Sequence, residues 1–201
     1  MSKKVGICAV ITTSLMWAVE SVLAKKSYES ADFVQTLTVR TSTTVFFALI
    51  SAIILNKGRI GIEKRSIPKI AYIALAGTVV SDLLYFYALM SIPVVNAALI
   101  AHTQPVFIAL LGYFFLKEDK LTKFDYGGII VLISAGLMVT TKTFENLCAF
   151  RFGTLGDLLM LLATFLWATA AMVAKKHLKN IPPSTLTFYR FLFSSFALIP
   201  Y

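Results

Sequence analysis

Long apolar runs separated by short basic clusters set the fold class of this chain. Seven runs stand out, at roughly 5–24, 34–55, 69–90, 94–116, 124–141, 155–174 and 184–201. Most approach the ~20 residues that carry a helix across the hydrocarbon core. Hydrophobic residues make up 58% of the chain and charged residues 14%, against about 25% charged in a soluble domain. A lipid-spanning β-barrel would alternate with period two over ~10-residue segments, and that alternation is absent from the sequence. The expected fold class is an all-α integral membrane protein with about seven transmembrane helices, the lipid bilayer being its first partner.

The net charge of +9 raises nucleic acid as a partner. No basic stripe sits on a segment that could fold as a soluble domain, so nucleic acid is not expected. Cys8 lies in the first apolar run and Cys148 in a loop, which gives neither a disulfide framework nor a CxxC metal site. The start MSKK before an apolar run resembles a signal peptide. The run lacks a small-residue cleavage site and continues to Lys25 and Lys26, so it reads as a first membrane helix. Pro93 is expected in the first turn of the fourth helix, and Pro182–Pro183 at the start of the seventh.

Loop charges assign the sides. One side receives Lys3, Lys4, Lys57, Arg59, Lys64, Arg65, Lys69, Lys117, Lys120, Lys123, Lys175, Lys176 and Lys179, 13 in all. The other receives four: Lys25, Lys26, Lys142 and Arg151. The positive-inside rule places the 13-charge side, and with it the N-terminus, in the cytoplasm. A multi-pass protein of the plasma membrane is expected.

The chain also nearly repeats itself. WAVESVLAKK at Trp17–Lys26 and WATAAMVAKK at Trp167–Lys176 share five of ten residues at an offset of 150. Arg40 and Arg190 lie at the same offset, early in the second and seventh runs, and are the only Lys or Arg inside the apolar segments once Lys69 at the edge of the third is set aside. Five crossings separate the first helix from the sixth, so the same unit would be inserted upside down. Inverted repeats with an odd number of helices are a transporter signature, because two halves can rock about a site at the midplane.

The stretch ALIAHTQPVFIALLGYFFLKEDKLTKFDYGGIIVLISAGLMV (Ala98–Val139) resembles the helix 4–5 signature of EamA-type members of the drug/metabolite transporter superfamily. A Pro-aromatic pair precedes an acidic residue, a Leu and a Gly-rich fifth helix. GDLLMLLATFLWATAAMVAKKHL (Gly156–Leu178) resembles the opening of the family's second repeat. The resemblance implies ten helices in two inverted five-helix repeats, with both termini cytoplasmic. It also implies export or exchange of amino acids and related metabolites. Against that frame, residues 1–142 are expected to be the first repeat and 153–201 a partial second repeat of two helices. The chain then reads as C-terminally incomplete relative to the family: a fragment, or a protein that completes its pathway by self-association.

Ionisable residues within a bilayer are functional candidates because insertion costs them roughly 2.5–3.5 kcal/mol each. Glu20 has two readings: a coupling or substrate-contacting carboxylate that exchanges a proton, or an interfacial residue paired with Lys25 or Lys26. The second repeat carries Ala170 at the matching position. Trp17 and Trp167 resemble the family's helix 1 and helix 6 tryptophans, as cavity walls or as packing and interface residues. Arg40 can hold a substrate carboxylate bidentately or snorkel to the outer surface, and Arg190 carries the same two readings on the opposite face. Asp82 and Tyr85 share a face of the third helix with Thr78 and Leu89, and are expected to line a cavity. His102, three residues before Pro105, is a proton relay or a partner for a neighbouring carbonyl. The run RTSTT (Arg40–Thr44) reads as interhelical glue. Gly127, Gly128 and Gly136 are expected to permit close helix approach. Asp157 and Glu118 read as helix-end residues. Trp17, Glu20, Asp82, Tyr85 and His102 are expected around one polar cavity among helices 1, 3 and 4.

A seven-helix receptor and an intramembrane enzyme are the rival classes. A cytoplasmic N-terminus argues against the receptor, and the seventh run has no Lys for a retinal Schiff base. Against the enzyme, the sequence holds no HExxH and no His–carboxylate cluster at ligand spacing, so neither metal nor cofactor is expected. The reading is a secondary transporter that exports amino acids or related small metabolites by alternating access, with protons as a candidate coupling ion. Its topology has a direct check: a membrane-impermeant thiol reagent is expected to label Cys148 from outside intact cells. Labelling only after permeabilisation would reverse the orientation.

Overall fold

The computed structural model describes residues 3–115, 122–141, 143–148 and 153–199, and within these the chain is helical, without strands. Seven long helices follow the apolar runs: α1 Lys3–Ser27, α2 Phe33–Leu55, α3 Lys64–Ser91, α4 Val94–Phe115, α5 Lys123–Thr141, α6 Leu155–His177 and α7 Pro183–Leu198. A five-residue helix, Phe144–Cys148, lies between α5 and α6. Among the described residues α1, α2, α3, α4 and α6 are long and apolar enough to cross a membrane, and α5 carries a shorter apolar stretch, Tyr126–Met138. Glu118, Lys117, Lys120, Lys142 and Arg151 fall outside the described residues.

Local chemistry fixes the ends. Asp32 caps α2 through a capping box with Gln35, and Thr154 caps α6 through one with Asp157. Each box satisfies two backbone donors that a helix start leaves free. Asp157 is thus a helix-start residue, as its position suggests. The C-terminus of α2 closes in a Schellman arrangement: the Gly58 N–H donates to the Ile53 carbonyl, with Lys57 at φ 51° and Gly58 at φ 77°. Pro183 occupies the first turn of α7. Pro93 is the N-cap of α4 and not within its first turn, because its ψ of 143° is extended and helical geometry begins only at Val94.

Two helices depart from regular α geometry. In α3 the residues Leu75–Val80 form a π-helical turn between α-helical Ile67–Ala74 and Ser81–Ser91. In α4 the helix is interrupted at His102–Thr103, two residues before Pro105. A proline ring in that position removes a backbone donor and crowds the preceding turn.

Packing is centred on α3. In its most apolar window 56% of residues are buried, against 6% for α1, so α3 is the inner helix and α1 the outer one. α2 runs along α7, and α6 packs on both α3 and α4. Val5, Ile7, Ile11, Leu15, Met16 and Val19 of α1 are exposed, as befits a face that meets lipid rather than water. Asn56 donates to both Ser184 and Thr185 (2.8 and 2.9 Å), tying the end of α2 to the start of α7. Of the RTSTT hydroxyls, Ser42 reaches Ser195 on α7 at 3.4 Å, and Thr44 bonds back to the Arg40 carbonyl.

The glycines that permit close approach are not the expected ones. Among the described residues Gly127 and Gly128 face open space, and of the α5 glycines only Gly136 has a close neighbour, a Cβ there lying 3.3 Å from Thr103. The tight contacts are at Gly77 and Gly156. A Cβ on Gly77 would lie 2.2 Å from the Ala170 Cβ, and one on Gly156 would lie 2.7 Å from Ile92. Paired glycines in one helix catch the eye, but proximity is decided by which face meets a neighbour. Gly77→Val is therefore expected to cost about 1–3 kcal/mol by forcing α3 from α6. Gly127→Ala, in open space, is expected to be neutral or slightly stabilising through helix propensity. Thermal unfolding in detergent reads both.

Candidate functional site

The first repeat arginine sits between two carboxylates. Arg40 on α2 pairs through Nε with Glu20 on α1 at 2.5 Å, and through Nη1 with Asp82 on α3 at 2.7 Å. Its guanidinium also lies 5.5 Å from the Phe86 ring centroid. Asp82 is buried, and its other oxygen accepts from the Trp167 indole N–H of α6 at 2.9 Å. One carboxylate therefore joins α2, α3 and α6. The Tyr85 hydroxyl donates to Ser21 at 2.6 Å, and Ser21 in turn donates to the Trp17 carbonyl at 3.0 Å. Trp167 stands 6.0 Å from Trp17 and 5.5 Å from Tyr85 between ring centroids.

The second repeat arginine has a different setting. Arg190 on α7 donates to the Thr78 hydroxyl and the Gly77 carbonyl of the π-helical turn. A π turn offsets the regular backbone ladder and frees carbonyls that an α-helix would use itself. Ser194 adds a bond to the Ala74 carbonyl at 3.2 Å. The α3 backbone thus accepts from two side chains of α7.

Open space lies on both sides of this cluster. A cavity of about 330 Å³ is lined by Trp17, Gln104, Trp167, Leu186, Thr187 and Arg190, among others. A groove of about 550 Å³ between α1 and α2 is lined by Met16, Val19, Glu20, Leu23, Arg40 and Phe86, among others. Trp17 and Glu20, expected on one cavity with Asp82, Tyr85 and His102, border different ones, and the other three line neither. His102 is exposed at the break in α4 and meets Trp17 edge-on at 6.3 Å. Glu20 pairs with Arg40 and not with Lys25, whose ammonium donates to the Ile92 carbonyl at 2.6 Å. Arg40 and Arg190 both turn inward to partners on other helices.

Outside the spans, Tyr28 donates to the Phe86 carbonyl at 2.9 Å. Burial, and then neighbouring Tyr85, push its phenol above the ordinary value. Sequence reasoning passed over Ser21, Phe86, Gln104 and Gly77. Ser21 carried a signal, four residues after Trp17 on the same helical face. Phe86 and Gln104 carried none, since a Phe in an apolar run and a Gln beside a proline are ordinary there.

A family model of the EamA-like transporter family matches residues 4–141 and 154–201. The chain belongs to this family. Similar proteins include an uncharacterized transporter of Archaeoglobus fulgidus, 29% identical over 66% of this chain and 44% of its own length. The uncharacterized transporter YyaM of Bacillus subtilis is 27% identical over 69% of this chain and 47% of its own. The pseudopaline exporter CntI of Pseudomonas aeruginosa is 23% identical over 68% and 46%. The chain thus spans less than half the length of each of these relatives. A solved crystal structure matches with a TM-score of 0.64 at 17% identity, over 99% of this chain and 67% of that one. This likeness is one of fold. Membership of the EamA-like family makes the chain a multi-pass membrane protein of a transporter family, and its relatives are named for transport and not for catalysis.

The two tryptophans of this EamA-like chain are expected to separate by substitution. Trp167→Phe removes the donor to buried Asp82 and should cost about 1.5–3 kcal/mol, the range for a hydrogen bond to a charged group. Trp17→Phe keeps an aromatic packing body and should cost less than about 1.5 kcal/mol. Unfolding midpoints of the two variants compare them directly.

Proposed function

We propose that this chain is a secondary transporter that exports amino acids or related small metabolites by alternating access. It sits in the plasma membrane with its N-terminus in the cytoplasm. The observation that carries the reading is the charged cluster of Glu20, Arg40, Asp82 and Arg190 among apolar helices. Charges are costly within a bilayer, and those that persist there mark substrate or ion pathways. Family membership supports transport, and a relative named as an exporter supports the direction.

The site residues take roles by position. Asp82 fixes Arg40 and Trp167. Glu20, with its side chain 35% exposed, borders the α1–α2 groove and is the carboxylate that exchanges Arg40 for a proton. Trp17 and Trp167 wall the substrate cavity, with Tyr85 against Trp167 and the exposed His102 edge-on to Trp17. We read residues 1–142 as one five-helix unit and 153–201 as the start of its inverted copy. The split family match and the 150-residue offset support that division. Opening one side and closing the other would then require Arg40 to release one of its carboxylates.

Purified protein in proteoliposomes is expected to show counterflow of at least one labelled amino acid or related metabolite. Asp82→Asn should insert normally and lower that counterflow about tenfold or more, the effect of losing a charge-assisted bond of ~1.5–3 kcal/mol. Full counterflow in Asp82→Asn would remove the cluster from the mechanism.

A further inference from the structure

The two repeat-related arginines differ in what surrounds them. Arg40 is held by two carboxylates. Among the described residues no carboxylate pairs with Arg190, whose acceptors are a hydroxyl and a backbone carbonyl, both neutral. The sequence gives the local reason. Glu20 precedes Arg40 by the same interval as Ala170 precedes Arg190. Ala170 is buried, and its methyl is set against Gly77 so closely that even a Cβ on the glycine would collide with it. A glutamate at 170 would not fit there. Arg190 is thus a cation with no carboxylate in direct contact, and Asp82, already bonded to Arg40 and Trp167, acts on it only at longer range.

Arg190 also lines the 330 Å³ cavity, with Gln104 and Thr187 as further polar groups and Trp17 and Trp167 as aromatic walls. The volume is near the lower end of small-molecule sites, which run about 300–1,000 Å³. A guanidinium with N–H groups to spare is suited to a carboxylate, and the indole faces suit an apolar or aromatic body.

We propose that this cavity binds a small organic acid, its carboxylate on Arg190 and its apolar body against Trp17 and Trp167. Arg40, whose charge is already met by Glu20 and Asp82, is not the anion site. The proposal names the substrate class of the transport site and rests on the transporter reading only for calling the ligand cargo. It predicts discrimination by charge. The neutral amide of the same acid fits the walls but leaves Arg190 without an anion, and an amine of the same shape meets a cation.

Trp17 and Trp167 are the chain's two tryptophans, and both line this cavity, so intrinsic fluorescence reports on it without a label. The purified protein is titrated with 3-phenylpropionate, 3-phenylpropionamide and phenethylamine. The acid is expected to change Trp emission saturably, with the amide and amine about tenfold or more weaker. Arg190→Gln should weaken the acid to the level of the amide, while Arg190→Lys should recover part of the preference. If Arg190→Gln does not fold, the acid–amide comparison on the unaltered protein decides alone. Equal binding of acid and amide, no saturable response to the acid, or an undiminished preference in folded Arg190→Gln would each overturn the site. Counterflow of the labelled acid in proteoliposomes is measured separately. Acid-selective binding without counterflow would sink the transporter reading and leave the site standing. Counterflow without acid-selective binding would do the reverse.

Discussion

The carboxylate of Asp82 accepts from Arg40 on α2 with one oxygen and from Trp167 on α6 with the other. Both oxygens are thereby engaged, and a charge buried among apolar helices gains a counter-charge on one side and a hydrogen-bond donor on the other. An isolated carboxylate there would be expelled or neutralised. The pair of bonds fixes α2 and α6 against the inner helix α3, and through Arg40 it reaches Glu20 on the outer helix α1. The aromatic group follows from the same anchor. With its indole N–H held by Asp82, the Trp167 ring faces Trp17 and Tyr85, and one wall of the cavity is set.

The π-helical turn serves the other arginine. Within Leu75–Val80 the Gly77 carbonyl and the Thr78 hydroxyl accept from Arg190. The absent side chain at Gly77 then allows Ala170 to approach. One short segment therefore binds an arginine and admits a neighbouring helix. The two arginines 150 residues apart thus have different settings: one paired with two carboxylates, the other held by a hydroxyl and a backbone carbonyl.

Much of this was legible in the sequence because the underlying signals are local. The apolar runs give the seven helices, and capping residues and prolines give most of their ends. The 150-residue offset picks out Trp17, Trp167, Arg40 and Arg190, which the fold brings into one region. Partners were less legible. Glu20 could be matched to lysines one turn away, but its partner is Arg40 on the next helix, because sequence distance does not report which helix faces which. Nor does sequence distance report that Trp17 and Glu20, three residues apart on α1, border separate spaces. The π turn left only a faint trace, a single Gly in a helix that shows no other irregularity. Gly127 and Gly128 gave a stronger trace and no contact, since their face of α5 meets nothing among the described residues.

The central claim is that Arg40 and Asp82 hold each other within the bilayer and so organise the site. A double-mutant cycle on unfolding stability, with Arg40→Gln, Asp82→Asn and the pair together, measures that interaction alone. Arg40 keeps 29% of its side chain exposed and Asp82 keeps 6%, so the coupling is expected at about 1–3 kcal/mol, below the ~3–5 kcal/mol lost on breaking a fully buried pair. In that case the double variant is less destabilised than the sum of the singles. Strictly additive single and double variants would contradict the account, because Asp82 would then not be the group that Arg40 depends on.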